Sequence, residues 1–102
     1  VIMQLEKNRR GRELRVVLSG ELDHHNAAII REEVDRELDG SVKLLTLDMS
    51  GITFMDSSGI GVVLGRYRRM SESGGKLRMG GMSIYAEKIL RMAGVLALLE
   101  RK

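Results

Sequence analysis

A pair of serines that follows an aspartate offers the most reactive chemistry in this sequence. Asp56, Ser57 and Ser58 stand between an apolar run of strand type, Leu44 to Met49, and a helical pattern that continues to Met70. The pattern places both serines at a helix N-terminus, where backbone N–H groups lack partners and the helix dipole is positive. There a serine can cap the helix, and a phosphate group on it would be well accommodated. We predict that this junction is the functional site.

Nearby acids and histidines raise two other kinds of chemistry. Asp23, His24 and His25 could join Asp56 and the serines in hydrolysis, but the sequence has no G-x-S-x-G elbow and no identifiable oxyanion donors. Two adjacent histidines without a further spaced ligand also make a weak metal site. We interpret His24 and His25 as turn residues, and we predict no catalytic residue, no metal and no cofactor.

Glycines recur after the serines. The stretch from Gly59 to Gly65 superficially resembles a dinucleotide-binding fingerprint. However, Ser50 to Ser58 separate it from the preceding strand, whereas the fingerprint turns directly from strand to helix. The GxxxxGK[ST] phosphate loop is also missing from the sequence. Nucleotide chemistry is therefore a poor interpretation of these glycines.

The same glycines predict a small face on a helix. If Ile60 and Val63 face the core, Gly61 and Gly65 lie on one flank. Val62 then points nearly away from the core. Each interior glycine costs about 1 kcal/mol relative to alanine, so the helix needs space there, either for close internal packing or for a partner. We call the second possibility the partner strip, which consists of Ser58, Gly61, Val62 and Gly65.

Hydrophobic periodicity predicts a mixed, mainly parallel α/β fold of order β-β-α-β-α-β-α-β, with an opening hairpin and helices packed on the sheet. The predicted strands are Ile2–Lys7, Leu14–Ser19, Val42–Met49, Lys76–Met79 and Val95–Leu99. The predicted inward positions of the helices are Ala27, Ile30, Val34 and Leu38, then Ile60, Val63, Leu64, Tyr67 and Met70, then Tyr85, Ile89 and Met92. Asp23 or Asn26 and Ser83 are the predicted caps, and Gly40, Gly74, Gly75 and Gly94 the predicted stops. Asp35 is assigned to the solvated side of the first helix.

Composition limits the classes of function. The chain has 102 residues, enough for one domain, with 43% hydrophobic and 30% charged residues and no cysteine. A net charge of +3 is mild, and aromatic residues are scarce, so we interpret two groups of arginines as solvated surface: Arg9, Arg10 and Arg12, and Arg66, Arg68 and Arg69. No segment of the sequence is apolar over the length of a membrane span, and the N-terminal residues do not follow the arrangement of residue types in a signal peptide. We expect a cytoplasmic protein without a nucleic-acid or membrane partner.

Two motifs at matching spacing resemble a known family. Gly20 to His25 reads GELDHH, and Phe54 to Tyr67 reads FMDSSGIGVVLGRY. Both closely resemble the anti-anti-sigma factors of the STAS domain family, and the likeness covers nearly the whole chain, 1–102, as one domain. Family members usually continue into a final helix, which this sequence would lack after Lys102.

The resemblance implies a phosphorylation switch rather than an enzyme. In this family the serine directly after the aspartate, here Ser57, is phosphorylated by an anti-sigma factor that is itself a serine kinase. A dedicated serine phosphatase resets it. The unphosphorylated protein binds the anti-sigma factor and frees the sigma factor, which in the most similar sporulation members is sigma-F. The residues expected to recognise the partners are Asp23, Asp56, Ser58, Gly59, Gly61, Val62 and Gly65.

Two other functions stay open at this point. The chain could be a STAS antagonist in a different partner-switching system, such as one that controls a stress-response sigma factor. It could instead be a weak nucleotide-binding protein that uses the glycine stretch. Phosphate transfer to Ser57 by an anti-sigma kinase would favour the first class, whereas unaided nucleotide hydrolysis that a Gly61 change abolishes would favour the second.

Overall fold

Eight elements form in the computed structural model, which describes residues 3–100, with Glu100 described in its backbone alone. The strands are β1 (Gln4–Arg10), β2 (Glu13–Leu22), β3 (Leu44–Met55) and β4 (Lys76–Met82). The helices are α1 (Ala27–Asp35), α2 (Ser57–Glu72), α3 (Ile84–Met92) and α4 (Val95–Glu100). The predicted start of the first strand at Ile2 and the chain end at Lys102 lie outside the described residues.

The sheet has the predicted mixed topology. Its strand order is β1-β2-β3-β4, with β1 antiparallel to β2 and the other two pairs parallel. Gly11 supplies a positive φ of 61° in the turn of the opening hairpin, a conformation that glycine adopts without strain. The two parallel pairs are joined through α1 and α2, as parallel strands require crossover connections. The predicted fold class is therefore confirmed.

Strand alternation divides the sheet into a covered and an open face. In β2, Leu14, Val16 and Leu18 are buried, whereas Arg15 and Val17 between them stay partly exposed. Successive side chains of a strand point to opposite faces, so the helices cover one face only. The core lies between that face and the helices. The opposite face, which carries Arg15 and Val17, is partly exposed to solvent.

Helix α1 has the predicted core stripe, since Ala27, Ile30 and Val34 are all buried. Leu38 is buried too, but it follows the helix, which ends at Asp35 rather than near Gly40. Within residues 3–100, no helix is both long enough and apolar enough to cross a membrane.

The prediction of a final strand was wrong, because Val95–Glu100 forms α4. Val95 and Leu96 are buried and Leu99 is partly buried, which is the i, i+1, i+4 spacing of one helix face. Leucine and alanine also favour helix over strand. Five residues were too few for periodicity to decide between the two.

Helix α3 begins as predicted but faces the core differently. The Ser83 hydroxyl caps it by accepting a hydrogen bond of 3.0 Å from the Ala86 N–H. Ala86 and Leu90 are buried, whereas Met92, predicted to face inward, is 75% exposed. Met92 is the last residue of the helix and does not pack into the core. The small Ala86 gave a weaker signal than the larger side chains beside it.

Candidate functional site

The two sequence motifs meet because β2 and β3 are parallel neighbours. Leu22 and Met55 are register partners at the ends of these strands. Asp23 and Asp56 directly follow them, so both aspartates lie at the same edge of the sheet. Tertiary structure thus joins the β2–α1 loop to the start of α2, although Asp23 and Asp56 are far apart in sequence.

Asp56 is the N-cap of α2. Its Oδ1 accepts hydrogen bonds of 2.8 Å from the Ser58 N–H and 3.3 Å from the Gly59 N–H. These donors are two of the amides that a helix start leaves unpaired. Ser57 is therefore the first residue of the helix and not its cap, contrary to the role that the sequence suggested for the serines.

The second oxygen of Asp56 holds the other loop. Oδ2 accepts a hydrogen bond of 3.1 Å from the His24 N–H, and the His24 Nδ1 lies 3.4 Å from the same oxygen. Burial disfavours the ionised carboxylate, but the hydrogen bonds from Gly59, Ser58 and His24 outweigh it and lower the pKa of Asp56 below 3.8. One ionised carboxylate thereby fixes both halves of the site.

This arrangement predicts a pH-dependent effect of Asp56→Asn. Because the folded-state pKa of Asp56 is depressed, its ionised form stabilises the fold above about pH 4, and this contribution is lost as the pH falls through the folded value. We expect thermal melts to show a lower Tm for the variant at pH 7 and a shrinking difference from the parent chain towards pH 2. The exposed-carboxylate variant Glu32→Gln is the control. An equal Tm for Asp56→Asn and the parent at pH 7 would contradict the prediction.

Asp23 organises its own turn. Its Oδ1 accepts a hydrogen bond of 2.9 Å from the His25 N–H, and its N–H donates one of 3.0 Å to Asn26 Oδ1. Asn26 is the N-cap of α1 but makes no side-chain cap hydrogen bond there. His24 and His25 are exposed, as expected of turn residues. Within residues 3–100 there is no group of three or more His, Cys, Asp or Glu that could hold a metal ion.

Ser57 is the exposed hydroxyl of the site. It sits one residue after Asp56 at the positive end of α2, and its side chain forms no hydrogen bond with other described residues. Ser58 is partly buried and donates its backbone N–H to the Asp56 cap. Ser57 is therefore the more accessible of the two hydroxyls for a reaction with another molecule.

The predicted orientation of α2 was partly wrong. Val62, predicted to point away from the core, is only 3% exposed. Ile60 and Tyr67, predicted to face inward, are partly buried. The buried stripe of the helix consists of Gly59, Val62, Val63, Arg66 and Met70. Val62 therefore belongs to the core and is removed from the partner strip.

Arg66 explains why the orientation was missed. It was interpreted as solvated surface, yet it is 5% exposed, with its Nε 2.9 Å from Oδ1 of Asp35 on α1. Arg69 Nη1 lies 3.6 Å from the other Asp35 oxygen. Burial lowers the pKa of Arg66 against the raising effect of Asp35. Asp35 consequently faces α2 instead of solvent, and the ion pair joins the helices that follow the two halves of the site.

The glycines of α2 have different roles. A Cβ on Gly59 would lie 2.5 Å from Met55 Cγ and 2.9 Å from the Leu22 carbonyl oxygen, so this glycine serves internal packing. Gly59 is buried, so any part that it plays in recognition would be through the packing of α2 on the sheet, and its recognition role stays a prediction. At Gly61 and Gly65 an added Cβ would meet nothing within 4 Å. These two leave open space beside Ser58, as the partner strip requires.

An aromatic pair borders the site, although the sequence analysis did not assign these two residues to it. Phe54 is 42% exposed, and its ring stacks on Tyr85 at a centroid distance of 6.3 Å. The Tyr85 hydroxyl donates a hydrogen bond of 3.3 Å to the Met55 carbonyl, which fixes the start of α3 against the end of β3. Phe54 is the only phenylalanine in the sequence and lies two residues before Asp56. This position could have indicated that Phe54 belongs to the site.

Comparison with known proteins adds a family and named relatives. The STAS domain model matches residues 4–101. The chain is 34% identical over 94 residues to the anti-sigma F factor antagonist of Paenibacillus polymyxa, covering 91% of this chain and 80% of that protein. It is 26% identical over 86 residues to the anti-sigma-B factor antagonist of Bacillus subtilis (strain 168), covering 84% and 75% of the two chains.

Two solved structures of one protein are similar over most of the chain. SpoIIAA in its unphosphorylated form has 32% identity and a TM-score of 0.77, covering 92% of this chain and 82% of that chain. The phosphorylated form of SpoIIAA from Bacillus has 31% identity and a TM-score of 0.72, covering 94% and 86%. The fold has thus been observed both with and without a phosphate group in a similar protein.

Proposed function

The chain belongs to the STAS domain family, and we propose that it is an anti-sigma factor antagonist controlled by phosphorylation of Ser57. The observation that carries the proposal is the exposed Ser57 hydroxyl, which the Asp56 cap holds at the N-terminus of α2. The names of its relatives, antagonists of the anti-sigma F and anti-sigma-B factors, support the same role.

The partners follow from this proposal. The unphosphorylated chain binds an anti-sigma factor, which is a SpoIIAB-like serine kinase, and releases the sporulation sigma factor sigma-F. The kinase transfers the γ-phosphoryl group of ATP to the Ser57 oxygen, and the hydroxyl proton leaves. A SpoIIE-like serine phosphatase hydrolyses the phosphoserine and restores binding. The chain itself is then a regulatory substrate and not an enzyme.

The switch needs a change of charge but no change of fold. A phosphate group adds about −1.5 to −2 charges at pH 7, which the positive end of α2 accommodates. The same charge next to Asp56 and near Asp23 disfavours burial of the site against a partner, through desolvation and like-charge repulsion. Recognition by Asp23 and Asp56 is indirect in this proposal, because their carboxylates already bind backbone amides of the two loops.

A stress-response role is the second candidate. The similarity to an anti-sigma-B factor antagonist favours it, since that relative also aligns over most of this chain. The nucleotide-binding alternative has less support, because Gly59 to Gly65 lie inside α2 and not in a turn before it. A helix interior cannot supply the turn amides that cradle a pyrophosphate group.

A displacement assay tests the proposal and separates the candidates. A purified anti-sigma kinase is loaded with fluorescent sigma-F or with a stress-response sigma factor, and the chain is added with a non-hydrolysable ATP analogue. Release of sigma-F by the unphosphorylated chain supports the first candidate, and selective release of the stress-response factor supports the second. Release of neither factor, by a chain that melts cooperatively, would refute the antagonist role.

The partner strip predicts a separation of binding from stability. A Cβ added at Gly65 would meet nothing within 4 Å, so Gly65→Arg starts a long side chain in open space, and arginine is a better helix former than glycine. We expect an unchanged or slightly higher Tm together with at least about tenfold weaker binding to the anti-sigma factor. Arg68→Gln, which changes an exposed residue of the same helix, is the control for surface charge. A large fall in Tm for Gly65→Arg would mean that the glycine serves internal packing.

A further inference from the structure

The open face of the sheet carries a row of polar residues far from Ser57. Asn8 pairs with Arg15 across β1 and β2, Arg15 with Thr46 across β2 and β3, and Thr46 with Arg78 across β3 and β4. Directly opposed residues point to the same face, so one line of side chains crosses all four strands. The row lies near the start of β2, and Arg15 is seven residues, or about 23 Å along the strand, from Leu22 at the other end, where the two site loops meet.

A cavity of about 360 Å³ opens on this row. Its lining residues are Asn8, Arg10, Glu13, Arg15 and Arg78. The lining has three guanidinium groups and one carboxylate, and Asp48 pairs with Arg15 beside the cavity, so one positive charge remains in excess. Guanidinium groups match the geometry of phosphate and carboxylate groups and can bind them through two parallel hydrogen bonds.

Two of the guanidinium groups are held in place by acids. Arg15 Nη2 donates a hydrogen bond of 2.7 Å to Asp48 Oδ2. Arg78 Nη2 donates one of 3.2 Å to Glu13 Oε2. Each arginine uses only this one nitrogen within residues 3–100, so the Nε and Nη1 donors of both stay available to a ligand. Such fixed donors lose little side-chain entropy when they bind.

Gly80 keeps the floor of this region clear. A Cβ there would lie 2.9 Å from Arg15 Nη1 and 2.7 Å from Thr46 Cγ2. The absence of a side chain lets the Arg15 guanidinium reach across β3 to β4. Thr46 is fully buried, and its hydroxyl donates a hydrogen bond of 2.8 Å to Glu13 Oε2. The polar network is therefore packed into the sheet and is more than a group of solvated side chains.

Arg10 completes the cavity as an uncommitted cation, because it forms no ion pair or side-chain hydrogen bond within the described part of the chain. The lining contains no aromatic residue on which a nucleobase could stack. From this geometry we propose that the cavity binds a small ligand carrying at least two phosphate or carboxylate groups. The site is independent of Ser57 and of the proposed antagonist function.

Calorimetric titration at constant ionic strength tests this site, with inorganic pyrophosphate and citrate as probes. We expect saturable binding of one of them, and the tighter probe identifies the preferred oxyanion. Arg10→Gln should weaken that binding about threefold to tenfold, since one charge-assisted contact is lost. Arg12→Gln is the matched control, because it removes the same charge from the adjacent turn without touching the cavity.

Nitrogen-detected NMR of the arginine side chains gives a second measurement. Ligand addition should shift the Nε signals of Arg15 and Arg78 and leave that of Arg91 on α3 unchanged. Equal weakening by Arg10→Gln and Arg12→Gln, or binding that never saturates below about 10 mM, would overturn the proposal by showing only diffuse attraction. Ser57→Asp should bind the probe as the parent chain does, which separates this result from any failure of the antagonist assay.

Discussion

Ser57→Ala is expected to abolish phosphorylation by the anti-sigma kinase while leaving the folded chain almost unchanged. The helix cap is Asp56, and the Ser57 hydroxyl makes no hydrogen bond with other residues in the range 3–100, so its removal costs no internal hydrogen bond. Without the acceptor oxygen, the chain should stay bound to the anti-sigma factor in the presence of ATP. Mass spectrometry after kinase treatment and thermal melting are the two measurements.

Ser58→Ala is the matched control for the neighbouring hydroxyl. It should still accept one phosphate, because Ser58 contributes its backbone N–H and not its hydroxyl to the Asp56 cap.

Ser57→Asp should retain the fold, since a negative charge is favourable at a helix start, but should bind the anti-sigma factor more weakly. Phosphate on Ser58 with Ser57 unmodified would show that the wrong serine was chosen. Unchanged affinity after phosphorylation of Ser57 would refute the switch.

Gly59→Ala should produce the largest loss of stability among the glycine variants of α2. The new methyl group would overlap Met55 Cγ at 2.5 Å and the Leu22 carbonyl oxygen at 2.9 Å. The carbonyl belongs to the β2 backbone and cannot rotate away, so we expect a loss of about 1–3 kcal/mol in the free energy of unfolding. In a chain of this size each kcal/mol lowers Tm by about 4–8 °C.

Gly61→Ala, on the same helix, is expected to raise stability instead of lowering it. Its Cβ would meet no atom within 4 Å, and alanine is favoured over glycine in a helix by about 1 kcal/mol. Its free energy of unfolding in urea should therefore rise. Equal destabilisation by both changes would mean that helix packing around Gly61 is tighter than the structure indicates, and the partner strip would lose its basis.

Hydrophobic periodicity correctly predicted those elements in which every core position carries an apolar side chain. The α1 stripe of Ala27, Ile30 and Val34 is buried as expected. The apolar run that begins β3 was likewise correctly identified as a central strand, although β3 continues six residues further, to Met55. The parallel pairing of β2 and β3, which creates the site, followed from the order of elements alone.

The errors arose where a core position carries a residue that is polar or very small. In α2 the buried stripe includes Gly59 and Arg66, which a helical wheel based on hydrophobicity does not assign to the core. The predicted orientation of the helix was therefore rotated, and Val62 was wrongly predicted to be exposed. The buried guanidinium group of Arg66 pairs with Asp35 on α1, and no pattern within α2 predicts a partner so distant in sequence. Likewise, the capping role of Asp56 rather than Ser57 depends on the exact residue at which the strand ends.

The carboxylate of Asp56 joins segments 32 residues apart in sequence, through its hydrogen bond with His24. A crossover of that length must close before β2 and β3 pair, and non-local pairing of this kind is slow in folding. A nascent or misfolded chain therefore contains the Ser57 segment without the surface around it. If both the kinase and the anti-sigma factor recognise the two loops together, only fully folded chains can be phosphorylated or bound. Newly synthesised protein would then take part in regulation only after it has folded.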